Sequence, residues 1–338
     1  MGEASEGISR QQFFTRSGLA GLAAAAGGAG LMSGTASAQS AGDPAQAIGD
    51  ALLSGRWEVV DLSLATGENY PVNFPGDPQF NIVPITAIKG RRGINGTNGA
   101  VEEAPYAVQR YEITEHTGTQ IDFPPHFIPP PGVNIPGARG NAFGRKTGDE
   151  YTLDSLMGPA VVIDGRALLA ANKRKGRSAV ISADWLRRWE ERYGRLSAGD
   201  VPVLFSAYTD RFYRRFPKNN RMMDRLLWKV LVDKSEPGWL VAAPDAVELM
   251  NDRGVKHIAT DAPSFGAAEN PQPSHVAGLK YGMTWTEGAT RLGSLPLRGA
   301  FYVAAPYKVI DQQAAIARAF ALKARGATAV GSGAPLEL

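Results

Sequence analysis

The chain contains no cysteine, which removes disulfides, thiolate metal ligands and cysteine nucleophiles together. Histidine is scarce, with four in 338 residues, at positions 116, 126, 257 and 275. Excess charge is also missing: 36 basic and 33 acidic residues leave a formal net charge of +3. That is too little for the concentrated basic face that a nucleic-acid partner requires. The densest basic run, Asn172 to Arg177, lies between two strand-like segments and reads as a solvated loop. There is no internal repeat. The apolar run from Gly18 to Met32 is too short and too rich in Gly and Ala to span a bilayer.

What remains is an ordinary globular composition, 43% apolar, with 39 Gly and 23 Pro. The first 38 residues read as an address rather than as part of the fold. Arg10 and Arg16 flank a polar start, the dilute apolar run follows, and Ala36-Ser37-Ala38 places small residues where a signal peptidase reads them. Ser9-Arg10-Gln11-Gln12-Phe13-Phe14 resembles the opening of a twin-arginine signal, with Gln11 in place of the second arginine. The departure leaves the general secretory route open, and the alternative to a signal is an uncleaved disordered N-terminus. On either route the mature chain begins at Gln39 and is expected in the periplasm or outside the cell, free of the membrane.

Residues 39–56 read as a linker or short helix, and residues 57–338 as one domain. Short apolar or β-branched runs predict strands at Trp57 to Leu62, Val108 to Thr114, Ala160 to Asp164, Ala179 to Ser182, Val201 to Ser206, His257 to Asp261 and Ala300 to Ala304. Ser182 is placed to cap a helix over Asp184 to Tyr193, stopped by Gly194. Pro244 is placed to open a helix through Asp252, closed by Gly254. Asp311 to Arg325 is rich in Ala and predicts a further helix. Strands interleaved with helices argue for an α/β domain. The proline-rich stretches at 124–136 and 263–273 read as rigid ordered loops beside the candidate site.

The chemistry concentrates in His116-Thr-Gly-Thr-Gln-Ile-Asp-Phe-Pro-Pro-His126. Two imidazoles, a carboxylate and an amide fall within eleven residues, and the first three are donors that a borderline divalent cation prefers. With residues 120–122 extended, Gln120 and Asp122 face one side. Gly118 permits the bend that brings His116 to them. By spacing alone, surface histidines beside a proline-rich loop are an equal reading.

The motif resembles the H-x-G-T-H-x-D-x-P-x-H signature of the cyclase family, which includes bacterial kynurenine formamidases and isatin hydrolases. Further pieces agree in order: Asp61-Leu62-Ser63, Asn73-Phe74-Pro75-Gly76-Asp77-Pro78, Gly199 to Ser206, Glu236 to Leu240 and Ala259 to Ser264. The resemblance implies an α/β fold of swivelling β/β/α type with a mixed sheet, assembled as a dimer or tetramer. It implies Zn²⁺ or Mn²⁺, one or two ions per chain, held by His116, Asp122, His275 and Glu287. His126 becomes the general acid/base. The family's middle histidine is Gln120 here, a weaker ligand as an amide, or a partner for substrate or water.

These residues imply hydrolysis of an amide, cyclic imide or lactone, with Thr117 and Thr119 as candidate oxyanion donors. A metal-dependent cyclase or lyase and an inactive periplasmic binding protein are the alternatives, because fold does not fix chemistry. Phe74, Phe123 and Phe127 are candidates for the walls of an aromatic-accepting pocket, although aromatics are more often core. Tyr208 to Phe216 is a candidate lid. His257, in an apolar strand, reads as structural, and Asp261 as a cap or as a partner orienting a ligand. Chain in excess of the small formamidases lies at 84–106, 129–158 and 207–235.

Overall fold

The computed structural model describes residues 44–88, 102–218 and 220–338. The expected signal peptide, residues 1–38, lies outside them, as does the middle of the 84–106 segment. The chain divides into two units, Met1–Gln46 and Ala47–Leu338, and the second holds the architecture below. The strands are β1 (Trp57–Asp61), β2 (Asn81–Ala87), β3 (Glu102–Glu103), β4 (Val108–Glu112), β5 (Gln120–Asp122), β6 (Asn134–Ile135), β7 (Ala138–Arg139) and β8 (Met157–Asp164). They continue as β9 (Ala179–Ile181), β10 (Val201–Phe205), β11 (Leu240–Ala242), β12 (His257–Thr260), β13 (Thr284–Glu287), β14 (Ala300–Pro306) and β15 (Ala314–Ala324). The helices are α1 (Pro44–Leu53), α2 (Arg166–Ala171), α3 (Ala183–Tyr193), α4 (Tyr208–Phe212), α5 (Trp228–Leu231), α6 (Pro244–Asp252) and α7 (Gln272–Leu279). No helix among the described residues is long and apolar enough to cross a membrane.

The main sheet closes on itself. Its order runs β15-β14-β8-β10-β12-β13-β5 and returns to β15, with β1 attached outside on β15. β8, β10, β12 and β13 are parallel, and the remaining pairs are antiparallel, so the domain is α/β with a mixed sheet. Alternation along each strand sorts the core. Val162, Val203 and Ala259 point into the ring, beside Tyr302 and the alanines of β15. Their neighbours Ile163, Leu204 and Ile258 point outward against Leu186 and Trp189 of α3 and Val247 and Met250 of α6.

The sequence-predicted helix ends are where the residues placed them. The Ser182 hydroxyl accepts from Trp185 N at 3.2 Å, a cap of about 1 kcal/mol. Gly194 turns out of α3 at φ 97°, and Gly254 turns at φ 82° after α6. The expected helix over Asp311 to Arg325 is instead β15. Its even positions Ile316, Arg318, Phe320 and Leu322 alternate with buried Ala315, Ala317, Ala319 and Ala321. Pairing with β1, β14 and β5 outweighs the helix propensity of alanine.

Candidate metal centre

Strand β5 sets the register of the site. It lies between β13 and β15, with Gln120 opposite Glu287 and Asp122 opposite Trp285 on β13. Ile121 points into the ring, so Gln120 and Asp122 face outward beside Trp285 and Glu287. Ahead of β5, Gly118 adopts φ 70°, and a Cβ there would meet Thr66 at 2.8 Å. That turn returns His116 to the strand. After β5, Pro124–His126 form a single 3-10 turn that presents His126. Pro273 sits in the first turn of α7, whose next residues carry His275 over the same face.

The five residues expected at the centre converge. His116 Nδ1 lies 3.3 Å from Asp122 Oδ1, and His126 Nε2 lies 3.9 Å from Asp122 Oδ2. His275 Nε2 lies 3.3 Å from Asp122 Oδ2 and 3.2 Å from Glu287 Oε1. His116, Asp122 and His126 form one potential ligand triad, and Asp122, His275 and Glu287 a second, sharing the aspartate. His275 directs Nδ1 to the Pro271 carbonyl at 2.8 Å, which orients Nε2 toward the carboxylates. Asp122, Glu287 and His275 are buried, while the His126 side chain keeps 26% of its surface exposed.

Gln120 joins the centre through Glu287. Its amide nitrogen donates to Glu287 Oε2 at 2.8 Å, and Phe265 N donates to Oε1 at 2.6 Å. The amide nitrogen thereby orients a carboxylate of the centre. Trp285, which sequence reasoning did not single out, donates Nε1 to Asp122 Oδ2 at 3.1 Å. The readable signal was its place two residues before Glu287, on the same face of one strand.

Charge shapes these groups strongly. Burial opposes ionisation of His116, but the Asp122 carboxylate outweighs it and raises the imidazole to about 9. The same contest, with Asp122 and Glu287 prevailing, raises His275 to about 10. Burial lowers His126 to about 4, with positive His116 and His275 reinforcing it against the pull of Asp122. Burial likewise works against the Asp122 charge, yet the three imidazoles hold it well below the usual carboxylate range. Burial and the Asp122 charge push Glu287 up. Two interior carboxylates thus draw protons onto neighbouring imidazoles, the balance that a bound divalent cation would supply.

The fit to such a cation has a direct mark. Asp122 Oδ1 is fully buried and accepts no hydrogen bond, because His116 Nδ1 stands near it without hydrogen-bond alignment. Buried polar atoms are rarely left this way. Imidazole nitrogen with carboxylate oxygen is also the donor set that suits Zn²⁺ and Mn²⁺.

The remaining candidates separate. Phe74 lines a recess with Pro71, His116, Gln120, Leu226 and Leu227. Phe127 stacks on His275 at 4.3 Å and packs edge-on to His126 at 4.5 Å, holding both rings. Phe123 is buried core. Of the expected oxyanion donors, Thr119 is committed elsewhere, donating to the Gly288 carbonyl at 2.8 Å, while the Thr117 hydroxyl accepts from Asn73 at 2.8 Å. The lid candidate, Tyr208 to Phe216, is anchored at its start. Tyr208 is core, and Thr209 donates to the Asp261 and Ala289 carbonyls. The recess wall comes from later in the same segment, at Leu226 and Leu227. Asp261 accepts from Ser206 N at 2.9 Å and Tyr208 N at 3.3 Å, a turn role ahead of α4.

His257 lies on the opposite face of the sheet. Its two ring nitrogens meet the Thr284 and Thr286 hydroxyls at 2.8 and 2.9 Å. Burial lowers it to about 3. It is a neutral interior histidine, turned away from the centre.

Residues 60–267 match the model of the Cyclase family. The chain belongs to that family. It is thereby a member of a family of metal-dependent hydrolases. The isatin hydrolase of Roseibium aggregatum is 27% identical over 282 residues, covering 81% of this chain and 95% of that protein. The kynurenine formamidase of Erythrobacter litoralis is 26% identical over 260 residues, covering 77% and 91%. Among solved structures, an isatin hydrolase bound to the product analogue thioisatinate superposes with a TM-score of 0.64 at 23% identity, covering 83% of this chain and 98% of that one. Isatin hydrolase A from Ralstonia solanacearum gives 0.61 at 23% identity, covering 83% and 97%. These likenesses show the shared fold.

Proposed function

We propose that this cyclase-family protein is an exported hydrolase that opens an amide, cyclic imide or lactone, with His116, Asp122, His275 and Glu287 as its metal ligands. The observation that carries the reading is the interior Asp122 carboxylate, which has three imidazoles within 3.9 Å and one oxygen without a hydrogen bond. A divalent ion, Zn²⁺ or Mn²⁺, supplies Lewis acidity toward a carbonyl there and brings the pKa of water toward ~7. Asp122 is the carboxylate common to both triads. Gln120 and Phe265 N fix Glu287, and the Pro271 carbonyl fixes His275. The amide at position 120 favours one ion over two, because it replaces an imidazole and is already bonded to Glu287.

His126 is the proton carrier. Burial keeps it neutral, and its partial exposure leaves it open to the reacting groups. It accepts a proton from the attacking water and returns one to the leaving nitrogen or oxygen, a role typically worth about 10²- to 10⁴-fold. Phe74, Pro71, Leu226 and Leu227 give the recess an apolar wall suited to a flat, mostly apolar body. The names of the relatives, isatin hydrolase and kynurenine formamidase, support an amide or cyclic amide as the bond cleaved.

The test is turnover of small amides, cyclic imides and lactones by the metal-loaded protein and by its His126→Ala variant. Hydrolysis of one class, reduced about 10²-fold or more in the variant, supports the reading. A metal-loaded protein that turns over none of them counts against it. Export belongs to the same proposal, as does assembly into a dimer or tetramer. Mass spectrometry of the protein from its host is expected to find an N-terminus at Gln39, and a retained leader would contradict export.

A further inference from the structure

A second, shallow recess shares no lining residue with the first. Asn69, Tyr70, Asn73, Gln79, Phe80 and Arg221 line it. Arg221 reaches it from the 207–235 segment and is half-buried. Its Nη2 donates to the Phe74 carbonyl at 2.6 Å and to the Asn73 carbonyl. Among the described residues, its Nε and Nη1 have no hydrogen-bond acceptor, and no carboxylate lies within 4.0 Å of the guanidinium.

The nearby acids form no ion pair with it. Asp224 accepts from the N–H groups of Leu226, Leu227 and Trp228 at 2.7, 3.1 and 3.2 Å, which commits both its oxygens to the start of α5. Asp224 and, less strongly, Asp77 favour the charged Arg221 through space, and burial outweighs them and lowers the guanidinium below its ordinary value. Asn73 spends its side chain on Thr114, Thr117 and Phe80 N, but three other polar side chains of the recess are unused. The Asn69 and Gln79 amides and the Tyr70 hydroxyl make no hydrogen bond to described residues. Residues 211–225 carry Arg211, Arg214, Arg215, Lys218, Arg221 and Arg225 against one acid, Asp224. The stretch is therefore basic on a chain whose net charge is small, although Arg225 is paired with Glu236 at 3.0 Å.

A half-buried guanidinium with a free edge, amide and phenol donors beside it, and a basic stretch of chain call for an anion. The planar fork suits a carboxylate, and Tyr70 and Phe80, stacked on Tyr213 and Tyr111, add aromatic lining beside it. We propose that this recess binds a carboxylate-bearing small molecule, gripped by the free edge of Arg221 with Asn69, Gln79 and Tyr70 as supporting donors. Because the same guanidinium holds the Phe74 carbonyl, the occupant is linked through one side chain to the wall of the first recess. The site stands independently of the metal reading.

The test is calorimetric titration of the metal-loaded protein, at low ionic strength, with 3-phenylpropanoate and its neutral counterpart 3-phenylpropan-1-ol. The carboxylate is expected to bind saturably at one site, and the alcohol about tenfold more weakly or worse, since charged hydrogen bonds distinguish them. Arg221→Met is expected to weaken carboxylate binding by about tenfold or more, and Gln79→Leu by less. Gln79 is exposed, so its variant probes the recess without disturbing the Arg221 grip on Asn73 and Phe74. His275→Ala is expected to leave binding intact. Equal binding of acid and alcohol, binding unchanged in Arg221→Met, or binding lost in His275→Ala but kept in Arg221→Met would overturn the proposal.

Discussion

Asp122 is in contact with almost everything that defines the centre: His116, His126, His275 and the Trp285 indole all lie within 3.9 Å of its two oxygens. The motif from His116 to His126 was legible because these ligands are close in sequence, with a glycine and two prolines fixing their directions. The position of Gln120 was legible too, but its task was not. Its partner Glu287 is 167 residues away, and only the β5–β13 register puts them opposite each other. If Gln120 orients Glu287, Gln120→Leu weakens metal affinity by about 10- to 100-fold, read by competition with a chromophoric chelator. Unchanged affinity would mean that Glu287 holds its place without the amide.

At the scale of elements, seven expected strand segments each contain a strand, and two expected helices have the caps that their residues announced. The failures share a cause. β5, β11 and β13 are three- or four-residue strands whose character comes from pairing, and β15 looks helical when composition is counted. Its true signal was period-2 alternation, with large residues at 316, 320 and 322 and alanine between them. α7 was hidden by its prolines, which suit a first turn but read as a loop.

His257 makes the pairing of β12 with β13 sensitive to pH. Its folded pKa of about 3 lies below the ~6.5 of an unfolded histidine. The unfolded chain therefore binds the extra proton between those values. The contribution of His257 is complete above pH ~6.5 and is lost as pH falls toward 3, at about 1.4 kcal/mol per unit. Asp261, raised by burial to about 7, acts with the opposite sign between pH ~4 and 7. The informative quantity is thus the difference between wild type and His257→Gln. Unfolding free energies by urea at pH 6.5 and 5 should fall about 2 kcal/mol further in wild type than in the variant. Parallel pH profiles would show that His257 is not held neutral.

For the whole molecule, closing the sheet separates two polar clusters that the sequence lists together. One face of β13 sends Thr284 and Thr286 to His257 inside the ring, and the other sends Trp285 and Glu287 to the candidate centre. No local pattern announces ring closure, because it depends on β5 pairing with both β13 and β15. The 207–235 segment was legible as excess chain, but its effect was not. It supplies Leu226 and Leu227 to one recess and Arg221 to the other. These parts converge on the interior Asp122 carboxylate, which on the proposed function is completed by a cation.

Elemental analysis of the purified mature protein, beside its Asp122→Ala and His275→Ala variants, tests that claim most directly. About one equivalent of Zn or Mn per chain in wild type, lost from both variants while their folded spectra persist, is the predicted result. Wild-type protein that takes up no divalent metal under any reconstitution condition would contradict it.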